Sequence, residues 1–224
     1  MYIFIEALQS TFHAGGVVML PIIFTGVIGF YYLFSTWMRV GGDAFRKDVY
    51  KSVQMLRNDL NSKREEPMRF AAKHLGMRSG IVSRELRRAL KVAMESPSEY
   101  RDYMQVRMIQ TVQYMQQGTH IISVMAAAAP LLGLLGTVTG MVSTFEVITL
   151  YGNQNPVLMA DGISEALIST QSGLLVAFPL TLLKQRLDER IEYLTEQLEL
   201  GATIIENFLS SAIAIASLRS QRQV

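Results

Sequence analysis

The chain has 224 residues, half of them apolar, a formal net charge of +2 and no cysteine. Without cysteine there is neither a disulfide framework nor a thiolate metal site, and His13, His74 and His120 are too scattered to form a ligand cluster. The basic residues are segregated: 16 of the 21 Lys and Arg lie between Arg39 and Arg107, five follow from Lys184, and none occurs before Arg39 or between Met108 and Leu183.

Such clustering marks a membrane protein whose two basic regions lie in the cytoplasm. The first basic region is interleaved with acids (Asp43, Asp59, Glu65, Glu85, Glu99) and poor in stacking aromatics, so no nucleic-acid partner is expected.

Residues 1–13 read as a periplasmic N-terminal segment lying along the outer leaflet, with Glu6 and His13 its only ionisable side chains. They lack the basic start and small-residue cleavage site of a signal peptide. The first span covers residues 14–38: Ala14–Trp37 carries no formal charge over 24 residues, enough to cross a ~30 Å hydrocarbon core. Tyr31, Tyr32 and Trp37 anchor its inner end, and Pro21 sits inside the helix, where neighbours can satisfy the freed carbonyl.

A cytoplasmic helical domain is predicted over residues 39–117. After a hinge at Gly41 and Gly42, Asp43 caps a helix with Phe45, Val49, Val53, Leu56 and Leu60 at helical spacing. Pro67 opens a second helix ending near Gly76. Ser79 or Gly80 opens a third carrying Ile81, Leu86, Leu90 and Met94. Ser96, Pro97 and Glu99 form a capping signature. They predict one helix from Pro97 to Leu150, roughly 80 Å long, whose first half stands in the cytoplasm. Met104, Met108 and Met115 fill its packing face.

The second span covers residues 118–150, a polar periplasmic turn 151–161, and the third span 162–183, with Asn155 and Pro156 opening its helix. Residues 184–224 form a cytoplasmic C-terminal helix, first amphipathic through Leu187, Ile191, Leu194 and Leu198, then apolar through Ile204, Ile205, Phe208, Leu209, Ile213 and Ile215. Glu206 interrupts that last run, and Asn207–Ser217 is too short for a fourth crossing. The fold class is therefore all-α membrane protein, with three spans and long cytoplasmic helical extensions. The N-terminus lies outside and the C-terminus inside.

The last two spans hold residues that lipid disfavours: Thr137, Thr139, Ser143 and Thr144, then Glu165, Ser169, Thr170 and Ser172. A carboxyl at membrane depth costs roughly 2.5–3.5 kcal/mol on insertion scales, so Glu165 belongs in a protein interior or a wet cavity. Gly133, Gly136, Gly140 and Gly173 are helix-packing positions, with Gly136–Gly140 and Ser169–Gly173 at the four-residue spacing that admits close backbone approach. Glu165 and Ser169 share a face, while Thr170 lies about 140° round from Glu165. One of the pair therefore faces a lumen and the other a subunit interface or the lumen's edge. His120, near the inner end of the second span, is an interfacial polar residue. GLLGTVTG is not a phosphate loop, lacking the lysine and the preceding strand. A lone glutamate without a nucleophile–base pair or metal cluster argues against an enzyme, and no cofactor or metal is expected. A secondary transporter would need repeats and broken helices that three unequal spans do not supply.

The segments GLLGTVTGM and GISEALISTQSGLLVAFP resemble the ExbB/TolQ/MotA family of proton-channel subunits, most like ExbB, and three spans with a large first cytoplasmic loop is the ExbB/TolQ layout. The resemblance places Thr137 on the threonine of the G-x-x-G-T motif, Glu165 on the glutamate of G-I-x-E-A-L, and Thr170 on the threonine five residues later. It implies that these three line the pore of a homopentamer in the bacterial inner membrane. That pore would enclose helices of an ExbD-like single-span protein bearing an intramembrane aspartate. The assembly would use the proton-motive force to drive a TonB-like protein, or a TolA-like one if the chain is of TolQ type. A non-conducting membrane scaffold is the remaining alternative. Glu146 and Asp161 depart from the family pattern. Facing the pore they make, with Ser143, Thr144 and Ser169, an acidic outer vestibule; facing headgroups they are helix-end residues.

Overall fold

The computed structural model describes residues 15–41, 46–62, 66–77, 80–152 and 156–221. The segment 1–13, the caps expected at Asp43, Ser79 and Asn155, and the Phe45 packing position lie outside the described residues. Among those described there is helix and no strand: α1 (Met19–Val40), α2 (Arg46–Leu60), α3 (Pro67–Gly76), α4 (Ile81–Glu95), α5 (Tyr100–Gln116), α6 (Thr119–Tyr151) and α7 (Pro156–Gln221). Three stretches are long and apolar enough to cross a membrane: Met19–Val40, Tyr100–Tyr151 and Pro156–Ile215.

The chain divides into two compact units. One combines the chain up to Ser35 with Gly118–Arg186. Its α6 and α7 run antiparallel, and the buried positions of α6 (Ile122, Ala126, Ala129, Gly133, Gly136, Gly140, Thr144) recur every three or four residues. That spacing gives a single seam. The facing seam of α7 is built from Gly162, Ala166, Ser169, Gly173, Ala177 and Leu180. The start of α1, with Val18 just before it, packs on this hairpin through Val18, Met19 and Ile22 against Leu132 and Val176. Gly29 clears space for Leu180 and Met125. Large side chains such as Leu131, Leu134, Phe145, Leu167, Leu175 and Phe178 point away from the seam and are exposed, the surface that lipid or further protein covers.

Pro21 lies inside the first spanning helix, as the sequence suggested, but close to its start. Helix α1 starts at Met19, so Pro21 sits in its first turn, where the missing N–H has no intrahelical partner to lose. Its carbonyl accepts a hydrogen bond from Thr25 Oγ1 at 2.7 Å.

The second unit holds Thr36–Gln117 and the chain from Leu187 onward. Val49, Val53, Leu56 and Leu60 of α2 are buried, as are Ile81, Leu86 and Leu90 of α4 and Leu187, Ile191, Leu194 and Leu198 of α7. Helix α7 runs unbroken through Gly201, which lies against the Leu86 side chain. Packing of the C-terminal run continues through Ile205 and Leu209 and stops there, with Ile213 and Ile215 exposed. Met104 and Met115 are buried, whereas Met108 is half-buried and Met94 exposed. The Tyr100 hydroxyl donates to the Ala202 carbonyl at 2.9 Å, and Arg101 pairs with Glu206 at 2.8 Å.

Two helix limits differ from the sequence reading. The stretch predicted as one helix from Pro97 to Leu150 is interrupted at Gly118, whose φ of +94° is left-handed, a conformation glycine adopts without Cβ strain. Ser96 does not cap the stretch that follows. Residues 97–99 form a turn, closed by Glu99 N–H donating to Ser96 O at 3.1 Å, and α5 begins at Tyr100 without a side-chain cap.

A polar seam between two spanning helices

The α6–α7 hairpin is assembled from absences. A Cβ on Gly173 would fall 2.5 Å from the Ala129 carbonyl oxygen and 3.1 Å from Gly133 Cα. One on Gly140 would lie 2.7 Å from the Gly162 carbonyl oxygen and 2.9 Å from Ala166 Cβ. Gly136 receives the Ser169 side chain and Gly162 the Thr144 side chain. Backbones this close place polar groups of one helix within reach of carbonyls on the other.

Thr170 uses that closeness. Its Oγ1 donates across the hairpin to the Gly133 carbonyl at 3.0 Å. The other hydroxyls of the seam bond within their own helices: Thr144 to Gly140 O at 2.9 Å and Ser169 to Ala166 O at 2.9 Å, both side chains buried. Thr137 donates to Leu134 O at 2.7 Å and Thr139 to Gly136 O at 3.0 Å. Thr137 is half-buried and lies one helical turn beyond Gly133 on the same strip of α6. Thr137 thus sits about 6 Å along the axis from Gly133, whose carbonyl Thr170 holds. Their hydroxyls have different partners, Leu134 O for Thr137 and Gly133 O for Thr170.

Glu165 is set apart from them. Half-buried on α7, its carboxyl rests against Gly16, in the bend that leads into α1. Gly16 has φ +66°, and any Cβ there would run into the Glu165 carboxyl. Glycine is thus required twice, by backbone conformation and by contact. The roughly 140° between Glu165 and Thr170 is realised as two environments: Glu165 turns to the α1 side of α7, Thr170 to α6. Measured from the start of α7 at Pro156, Glu165 lies about 14 Å along the helix and Thr170 about 21 Å.

Ser143, Glu146 and Asp161 are exposed in the single chain, and Ser172 is half-buried. Glu146 and Asp161 do not meet Thr137 or Thr170 on the seam. His120 is exposed at the start of α6. Sequence reasoning missed Gly16 as the neighbour of Glu165 and Gly162 as a packing position opposite Thr144. The adjacent pair Gly15–Gly16 before an apolar run was the available signal.

Residues 73–200, more than half of the chain, match the MotA/TolQ/ExbB proton channel family. The chain is 33% identical over 178 residues to the biopolymer transport protein ExbB-like 1 of Synechocystis, covering 76% of this chain and 66% of that protein. It is 30% identical over 198 residues to a biopolymer transport protein ExbB homolog of Methanothermobacter thermautotrophicus, covering 88% and 68%. A shorter match, 44% identical over 64 residues, links it to the biopolymer transport protein ExbB of Aquifex aeolicus, covering 29% and 43%. The chain thus spans about two thirds of the first two relatives.

Proposed function

This chain belongs to the MotA/TolQ/ExbB proton channel family, and we propose that it is an ExbB-type subunit of an inner-membrane proton-driven motor. Five copies surround a lumen that holds helices of an ExbD-like single-span protein carrying an intramembrane aspartate. Proton passage is converted into work on a TonB-like protein that energises receptor-dependent import across the outer membrane. The names of the relatives favour this role over the TolQ-type one with a TolA-like protein.

One observation carries the reading. Between apolar helices of spanning length lie a carboxyl, Glu165, and, about 7 Å further along α7, Thr170 bonded to the Gly133 carbonyl of α6. With the α6–α7 turn on the periplasmic side, a proton meets Glu165 first and the hydroxyls of Thr137 and Thr170 next. Hydroxyls accept as well as donate, so the pair supports a short water chain. Glu165 exchanges a proton or sets the field felt by the partner's aspartate. The outer carboxylates Glu146 and Asp161 gather cations at the mouth. The N-terminus lies in the periplasm and the C-terminus in the cytoplasm, following the basic residues.

The test is co-purification of the chain with the small single-span protein encoded beside it, with energised siderophore uptake measured in the same cells. The expected result is recovery of a partner with a lone intramembrane aspartate, and a Glu165→Gln complex that assembles normally but takes up at least about tenfold less. Normal uptake by the assembled Glu165→Gln complex contradicts the channel role and leaves a scaffold.

A further inference from the structure

The second unit contains a charge cluster with no part in the spanning seam. Glu85, in the first turns of α4, is only 5% exposed. Its Oε1 accepts from Arg88 Nη1 at 2.7 Å, and its Oε2 accepts from Arg107 Nη2 at 2.6 Å and Nε at 3.2 Å. Arg84 Nε stands 3.8 Å from Oε1. The hydrogen bond from Arg107 to this carboxylate raises the guanidinium's already high pKa, with burial opposing it. Three guanidiniums, none able to lose its proton at physiological pH, thus share one carboxylate, leaving two positive charges in excess.

The excess charge borders an open space. A cavity of about 240 Å³ is lined by Arg84, Glu85, Arg88, Arg107, Gln110 and Tyr114, among others. It is smaller than the roughly 300–1,000 Å³ of sites for drug-sized ligands, and suits a single compact anionic group. Each guanidinium carries five N–H donors in a planar fork. Arg88 uses Nη1 on Glu85, and Arg84 approaches it only at ion-pair distance. Both are about half exposed, at 51% and 52%. Arg107 is further fixed by donating Nη1 to Gln110 Oε1 at 3.0 Å. The buried carboxylate therefore holds one arginine as a wall and leaves two at the mouth with donors to spare.

The rim is joined to the end of the first span. Tyr114 carries the Arg39 guanidinium 5.3 Å over its ring, and Arg39 lies in the last turn of the first span. Arg39 also donates to Gln117 Oε1 at 2.8 Å. Forked arginines match the geometry of phosphate oxygens.

We infer that the cavity formed by Arg84, Arg88 and Arg107 around Glu85 is a phosphate-binding site, filled by the headgroup phosphate of an anionic phospholipid or by free phosphate at the membrane surface. Arg84 and Arg88 grip the anion, while Glu85 positions Arg107 behind them.

The test uses the purified full chain in detergent micelles. In one arm, inorganic phosphate is titrated calorimetrically; in the other, the chain is mixed with phosphatidylglycerol or phosphatidylcholine and retained lipid is counted by native mass spectrometry. The Arg84→Gln/Arg88→Gln protein, in which Glu85 keeps Arg107, is compared with Lys51→Gln/Lys73→Gln, which changes net charge equally elsewhere. The expected result is saturable binding of phosphate, of phosphatidylglycerol or of both, weakened at least about tenfold in the arginine variant and unchanged in the lysine variant. Response to phosphate alone identifies the free anion, and response to phosphatidylglycerol alone the lipid. Should the glutamine variant lose helix content, Arg84→Lys/Arg88→Lys replaces it; point charges cannot reproduce the forks, so binding weakens there too. Absence of saturable binding in both arms, equal loss in the arginine and lysine variants, or undiminished binding in a folded arginine variant overturns the site.

Discussion

Gly173→Ala puts the closeness of α6 and α7 to the test. The added Cβ would lie 2.5 Å from the Ala129 carbonyl oxygen, about 1 Å inside the ~3.5 Å at which non-bonded heavy atoms rest. Both near atoms belong to backbone, so the helices must part rather than a side chain rotate. Parting them by that amount stretches the Thr170–Gly133 hydrogen bond from 3.0 Å to about 4 Å, beyond bonding range. Overpacking costs roughly 1–3 kcal/mol and the lost interhelical hydrogen bond about 0.6 kcal/mol. The higher helix propensity of alanine returns about 1 kcal/mol. The net loss is about 0.6–2.6 kcal/mol, or a fall of roughly 1–10 °C in Tm for a chain of this size. Thermal unfolding in detergent measures it, with Leu175→Ala, whose side chain is exposed, expected to stay within about 0.5 kcal/mol of the parent. Thr170→Val, which removes only the hydroxyl bond, should cost less than Gly173→Ala. A Gly173→Ala protein as stable as the parent would refute the tight seam.

Gly118 and Tyr100 give two further expectations. Because Gly118 has φ +94°, Gly118→Ala should cost about 1–2 kcal/mol in thermal unfolding, and Gly118→Asn less, since asparagine tolerates the left-handed region. Burial, and then the charge of Glu206, pushes the Tyr100 phenol well above its ordinary value. A group raised on folding contributes its full stabilisation below its unfolded value, about pH 10, and loses it as pH rises through the folded one. Tyr100→Phe should therefore cost about 1 kcal/mol at neutral pH, from the lost hydrogen bond to Ala202. It should also flatten the decline in Tm above about pH 10; an unchanged alkaline decline would show that Tyr100 is not its source.

What the sequence disclosed depended on whether the controlling interaction was local. Val49, Val53, Leu56 and Leu60, and Leu187 through Leu198, are buried because helical periodicity records the packing face directly. Gly133, Gly136, Gly140 and Gly173 were readable as packing positions because a glycine inside an apolar helix has few other reasons to be there. Tertiary partners were not readable. Nothing near Thr170 in sequence announces that its hydroxyl reaches Gly133, 37 residues away, and nothing near Glu165 points to Gly16. The Glu85–Arg107 pairing joins two helices across 22 residues, a separation that helical periodicity does not register. At Gly118 a composition that permits continuous helix met a left-handed φ, and periodicity carries no information on that choice. Ser96 and Glu99 had the letters of a capping box, but the turn at residues 97–99 closed through backbone instead.

Proton flux measures most directly whether the proposed protonatable path runs beside the α6–α7 seam. The chain, reconstituted in liposomes with the single-span partner proposed for it, is given an imposed pH gradient, and dissipation is followed with an internal dye. The parent complex should collapse the gradient, and an equally assembled Glu165→Gln complex should do so at least about tenfold more slowly, a difference of about 1.4 kcal/mol in barrier. Equal rates in the two complexes, or an intact gradient with the parent complex present, would contradict it.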